Sequence, residues 1–201
     1  MDKFPQNVIL SGVSMISSTN HGGIIEHETL DSVKIGYFEN SNLPLEIQET
    51  RCKRLINKHN ECVYDDNVKL TRWRKLVYNA TLNSVCTLTG VDVGRLELWG
   101  ANDTITRKAM REVLEIAKSN GVEVPESTIE EMLGQMGFIT HHMLVDIRKG
   151  NYIEVEVILG NAVRTAMRNG VVCPILTLIY NLLRVVQMRT KEAKGAITVP
   201  P

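Results

Sequence analysis

A chain of 201 residues, 43% hydrophobic and 23% charged, can bury one core or two small ones. Its 23 Lys+Arg balance its 23 Asp+Glu, so no basic surface points to nucleic acid, and none is expected as a partner. No apolar run reaches the ~18 residues of a membrane helix, so no membrane partner is expected either.

The start, MDKFPQNVIL, lacks the charged and apolar regions of a secretory signal. Residues 7–19, NVILSGVSMISST, are rich in β-branched and small side chains and read as strand. Two further short strands are predicted at 24–26 and 33–38, bounded by turn residues. Asn40, Asn42 and Pro44 break that pattern. From Leu45 the periodicity becomes helical, marked by Ile47, Cys52, Leu55 and Ile56. ECVYDD, 61–66, reads as one more strand.

A long helix is predicted over about 67–88, stopped by Gly90. The next spans about 103–119 and ends at Asn120-Gly121, with Pro125 beyond. Residues 140–149 and 152–168 give two more, the second ending at Asn169-Gly170, and Pro174 opens a last helix to about 190. KSNGVEVP and MRNGVVCP share stop-and-restart chemistry rather than marking a repeat. The expected class is mainly α. A few strands over 1–42 precede a helical domain over 43–194 and a disordered tail over 195–201. Cys52, Cys62, Cys86 and Cys173 lack metal-ligand spacing, so no metal site is expected. They read as the reduced thiols of a cytoplasmic protein.

Two stretches carry chemistry. In TRWRKLVYNATLNS, Lys75, Asn79 and Asn83 recur every four residues. On an α-helix each such step overshoots a full turn by only about 40°, so the three share a face. Asparagine is a poor helix-interior residue because its amide competes for backbone hydrogen bonds. The row reads either as a solvated face or as the polar wall of a cleft, where a lysine can donate to a carbonyl oxygen and asparagines can orient a small polar ligand. The second stretch, HHMLVDIRKGNYIEVEVILGNA, places His141 and His142 at a helix start and Glu154 in the first turn of the next helix. The bland readings are a surface histidine pair and a carboxylate answering the helix dipole.

Together these stretches resemble the ketopantoate reductase (2-dehydropantoate 2-reductase) family. The match rests on WRKLVYNATLNSVCTLTG, on HMLVDIRKGNYIEVEVILGNAVRTAMRNGVVCP, and on GGIIEH followed by VKIGYF. The resemblance implies a Rossmann domain followed by an all-helical domain, of the type that ends 6-phosphogluconate dehydrogenase, with the active site between them. It implies NADPH-dependent reduction of 2-dehydropantoate, or a related 2-oxo acid, in pantothenate biosynthesis. Lys75 would then be the proton donor, Asn79, Asn83 and His142 substrate contacts, and Ser18 and Glu154 cofactor contacts. Ser18 would lie in a loop against the cofactor. A homodimer through the helical domain would be possible.

The sequence also departs from the family. No GxGxxG phosphate turn is present, so the strands over 1–42 are expected to be the remnant of a truncated nucleotide-binding domain, with its first βαβ units outside this chain. His142 replaces a serine, and Ile139 and Val93 replace asparagines. The alternative is a non-catalytic remnant or a helical interaction module.

Overall fold

The computed structural model describes residues 3–16, 18–27, 31–56, 61–134 and 142–200. Compact packing divides the chain into Met1–Arg72 and Trp73–Pro201.

The first unit holds a three-stranded sheet in the order β1–β4–β5, built from β1 (Ile9–Ser14), β4 (Val33–Phe38) and β5 (Cys62–Tyr64). β1 and β4 are antiparallel, Ile9 opposite Phe38, and β4 and β5 are parallel, Val33 opposite Cys62. A separate hairpin pairs β2 (Ser18–His21) with β3 (Ile24–His27). Gly22 and Gly23 turn it with φ of 64° and 102°, backbone that favours glycine. Helix α1 (Leu45–Lys53) packs on β4 and buries Cys52 and Gln48. Because α1 and β5 attach to β4, the division of packing falls after Arg72, beyond the domain limit near 42 read from the sequence.

Helix α2 (Val68–Tyr78) starts against the same sheet. A Cβ on Gly36 would lie 2.4 Å from the Val68 side chain and 2.7 Å from the Asp65 carbonyl, so only glycine permits this approach. Arg72, half-buried, donates to Ser11 Oγ and stacks 4.2 Å over the Phe38 ring, and burial lowers its pKa.

The predicted long helix is present but not uniform. α2 passes into a π-helical turn, Asn79–Asn83, and then into α3 (Ser84–Thr89), which Gly90 ends at φ 76°. This rod is the centre of the second unit, with Ala80, Leu82, Val85 and Cys86 buried at 2% exposure or less. Around it pack α5 (Arg107–Ser119), α7 (His142–Arg148), a later π turn (Glu156–Gly160) and α9 (Pro174–Ala193). Arg148 donates to the Gly90 carbonyl at 2.7 Å, capping the rod from α7.

α4 (Val93–Leu98) and α6 (Ser127–Gly134) were not expected. Both are short, and α4 forms because Asp92 caps it, accepting from Arg95 N at 2.9 Å. The two similar phrases do form matching stops. Val122 N and Val171 N close onto Ala117 O and Ala166 O at 3.0 and 2.9 Å, ending α5 and α8 (Asn161–Asn169) at left-handed glycines. No helix of the described residues is long and apolar enough to cross a membrane.

The N-terminus of α9 is capped in trans. Glu112 of α5 accepts from Ile175 N and Leu176 N at 3.0 and 2.7 Å, joining two helices at the charge their dipole favours. Glu112→Ala is expected to destabilise the protein by about 1–2 kcal/mol, read as a lower urea midpoint at unchanged slope.

Candidate functional site

Lys75 lies in the last turn of α2, half-buried, with Asn79 and Asn83 on the π turn that follows. The π turn bears on the row. An α-helical step of four overshoots a full turn, whereas a step of four in the wider π turn falls short of one. The two errors oppose each other, so the row stays in line through Asn83. Widening also alters the carbonyl pairing, and hydroxyls answer it. Ser84 Oγ donates to Asn79 O at 3.2 Å, Thr81 Oγ1 to Val77 O and Thr87 Oγ1 to Asn83 O, both at 2.6 Å.

The asparagines are not independent. Asn83 Nδ2 donates to Asn79 Oδ1 at 3.0 Å. Asn83 is 7% exposed, yet its Oδ1 is buried with no partner among the described residues. An unfilled buried acceptor costs about 1–3 kcal/mol, and Asn102 Oδ1, Thr106 Oγ1 and Thr128 Oγ1 share that condition elsewhere among the described residues. Burial pushes the Tyr78 hydroxyl and the Cys86 thiol up to about 12, which removes both as acids or nucleophiles at neutral pH.

His142 opens α7 and is exposed, followed by buried Met143 and Leu144. His141 and Ile139 lie outside the described residues. Val93 is buried in α4. Glu154 stands one step earlier than expected, just before the helix rather than in its first turn. Helical backbone begins at Val155, and the Glu154 carbonyl accepts from Ile158 N at 3.0 Å. Ile153 is held out of the helix by Gln187 of α9, which explains the shift. Ser18 also differs from expectation. It opens strand β2, paired with His27, and is not in a loop, because the Gly22-Gly23 turn draws it into the hairpin.

The π turn of the row packs against both α7 and the later π turn, Glu156–Gly160. The turn carrying Asn79 and Asn83 thus packs against the helix that His142 opens and against the π turn that follows Glu154, while Ser18 belongs to the other unit. Glu154 also lines a cavity of about 710 Å³ between its segment and α9, with Arg184, Gln187 and Lys191. The row and His142 are not among its lining residues.

The sequence reading passed over Glu156, two residues on. Its carboxylate accepts from Arg164 at 2.8 Å and from the Tyr180 hydroxyl at 2.9 Å, and lies over Gly160, where a Cβ would come within 2.7 Å of it. The Arg164 bond, then the Tyr180 bond, lowers its pKa. Glu156 is thus committed to its neighbours, whereas the Glu154 side chain has no polar partner among the described residues. Among those residues no group of three His, Cys, Asp or Glu is placed to hold a metal.

Known proteins with similar sequences and structures support the same elements. The family described as ketopantoate reductase PanE/ApbA C terminal matches residues 67–187. An uncharacterized protein of Saccharomyces cerevisiae is 36% identical over 199 residues, 94% of this chain and 56% of its own length. A 2-dehydropantoate 2-reductase of Nostoc is 26% identical over 203 residues, 97% of this chain and 63% of its own. The crystal structure of 2-dehydropantoate 2-reductase from Methylococcus capsulatus superposes with a TM-score of 0.75 at 28% identity, over 94% of this chain and 61% of that one. The chain therefore spans less than two thirds of these relatives' length. Its fold, a small sheet followed by a predominantly helical domain, is the ketopantoate-reductase-like one.

Proposed function

The chain belongs to the ketopantoate reductase family, and from that premise we propose that it forms the helical wall of a site that reduces 2-dehydropantoate or a related 2-oxo acid, with NADPH, in pantothenate biosynthesis. The observation that carries this reading is the row itself. An ammonium, an amide and a buried unfilled acceptor stand on successive turns of the central rod.

Reducing a ketone requires a hydride at carbon and a proton at oxygen. A bound nicotinamide supplies the hydride. Lys75 hydrogen-bonds the ketone oxygen, stabilises charge as it develops there, and releases the proton that completes the hydroxyl. Asn83 Oδ1 accepts from a substrate hydroxyl, and the Asn79 amide donates to the substrate. His142 donates to its carboxylate. Glu154 and Ser18 are the proposed cofactor contacts. A carboxylate that accepts and a hydroxyl that can donate or accept suit the polar groups at the reacting end of a nicotinamide cofactor. The 201 residues contain no GxGxxG turn, so none is assigned to its pyrophosphate. The finer likeness to the C-terminal domain of 6-phosphogluconate dehydrogenase, and a cytoplasmic location suggested by four buried free thiols, belong to the same proposal. NADPH oxidation in the presence of a panel of 2-oxo acids tests it. Turnover that needs both reactants supports it, and oxidation indifferent to the 2-oxo acid sinks it.

A second reading, a non-catalytic helical interaction module, is favoured by α9. Leu178, Leu182 and Val185 recur at helical spacing and are 59%, 47% and 67% exposed. The same stripe suits a homodimer. Solution mass is expected to be that of two chains and to fall to one in Leu182→Glu.

A further inference from the structure

We propose that Gln187 is a positioning residue for Glu154. This rests on the reading of Glu154 as a cofactor contact. Gln187 Nε2 donates to the Ile153 carbonyl at 3.0 Å, and its Oε1 accepts from the Ile153 N–H, also at 3.0 Å. One primary amide thereby closes a ring with both backbone groups of the residue just before Glu154. Ile153 is buried and belongs to neither helix, so no other element takes up those groups. On the other side, the Glu154 carbonyl is fixed by Ile158 N. The backbone of Glu154 is thus anchored at both ends while its carboxylate has no polar partner among the described residues. Both Gln187 and Glu154 line the α9 cavity.

An identical ring occurs elsewhere. Gln48 Nε2 donates to the Asn40 carbonyl and its Oε1 accepts from the Asn40 N–H, both at 2.9 Å. There the next residue is Ser41, in a turn without chemistry, and the ring serves only the backbone. At Gln187 the ring instead sets the residue that carries the Glu154 carboxylate. Only a side chain that both donates and accepts at this reach completes it. A glutamate in its place accepts but cannot donate to a carbonyl.

The test is a double-mutant cycle of Gln187→Glu and Glu154→Gln in the whole chain, with two readouts. Amide exchange of Ile153 by NMR is expected to accelerate about tenfold or more in Gln187→Met, which can no longer accept from that N–H, and to stay unchanged in Glu154→Gln. KM for NADPH is expected to rise several-fold in each single variant and no further in the double, with kcat changed less. Unchanged Ile153 exchange overturns the proposal. So do single effects on KM that multiply, because Gln187 would then act independently of Glu154. If Glu154→Gln leaves KM unchanged, the reading of Glu154 itself fails. A protein merely loosened by Gln187→Glu would lose stability without the KM pattern. Gln187→Met keeps length and packing but makes neither bond, and is expected to raise KM at least as far as Gln187→Glu, which keeps only the acceptor.

Discussion

Lys75→Ala is expected to lower kcat for 2-oxo acid reduction by about 10²–10⁴-fold, the usual size of a general acid's contribution. Lys75 is half-buried on α2 with no apolar core of its own to lose, so thermal stability is expected to move little. The contrast between a large kinetic effect and a small thermal one is what separates a proton donor from a structural lysine. Lys75→Arg sharpens it. Arginine keeps the charge and much of the length, but it does not release a proton in the working range, and its planar fork presents donors differently. If charge alone steadied the developing alkoxide, Lys75→Arg would retain most of the rate. If proton transfer matters, it falls nearly as far as alanine. A rate indifferent to both substitutions would mean that the row is a solvated helix face.

That bland alternative could not be dismissed from spacing alone. The four-residue recurrence of Lys75, Asn79 and Asn83 was legible, and so was the helix bearing them, because Gly90 marks its end and apolar residues mark its other faces. The π turn beneath the asparagines was not. Hydrophobic periodicity is read against one helical pitch, and a single widened turn leaves too little trace in the pattern. The two glycine stops were legible because Gly121 and Gly170 sit where the backbone needs positive φ, whereas the single strand read over 7–19 is divided into β1 and the start of β2. α4 and α6 are one or two turns long and rest on caps and packing, which short windows do not weigh well. Glu154 stands out in the sequence, but its place just before the helix is set with Gln187, thirty-three positions later on another helix. Such a tertiary bond has no local signal. Nor has the unfilled Asn83 acceptor, which exists only because neighbouring elements close over it.

Asn83→Leu tests that acceptor directly, and its two expected effects have opposite signs. Asn83 is nearly buried on the central rod, and its Oδ1 has given up water without gaining a partner. An unfilled buried acceptor costs about 1–3 kcal/mol. Leucine fills similar space, removes the orphan and favours the helix by a few tenths of a kcal/mol. Against this stands the lost bond to Asn79 Oδ1, about 1 kcal/mol. The balance is a stability gain of about 1 kcal/mol, measurable as a higher melting temperature. Catalysis is expected to move the other way. A site that hydrogen-bonds its substrate loses about 10²-fold in kcat/KM when that partner is deleted, because the substrate hydroxyl is then buried against hydrocarbon. Asn83→Asp separates geometry from polarity, since a carboxylate can still accept from a hydroxyl but cannot donate to Asn79. It is expected to retain more activity than leucine and less stability. A variant that gains stability while losing turnover identifies strain kept for function. If Asn83→Leu instead destabilises the protein and leaves kcat/KM unchanged, the buried amide is part of the scaffold, and the polar row ends at Asn79.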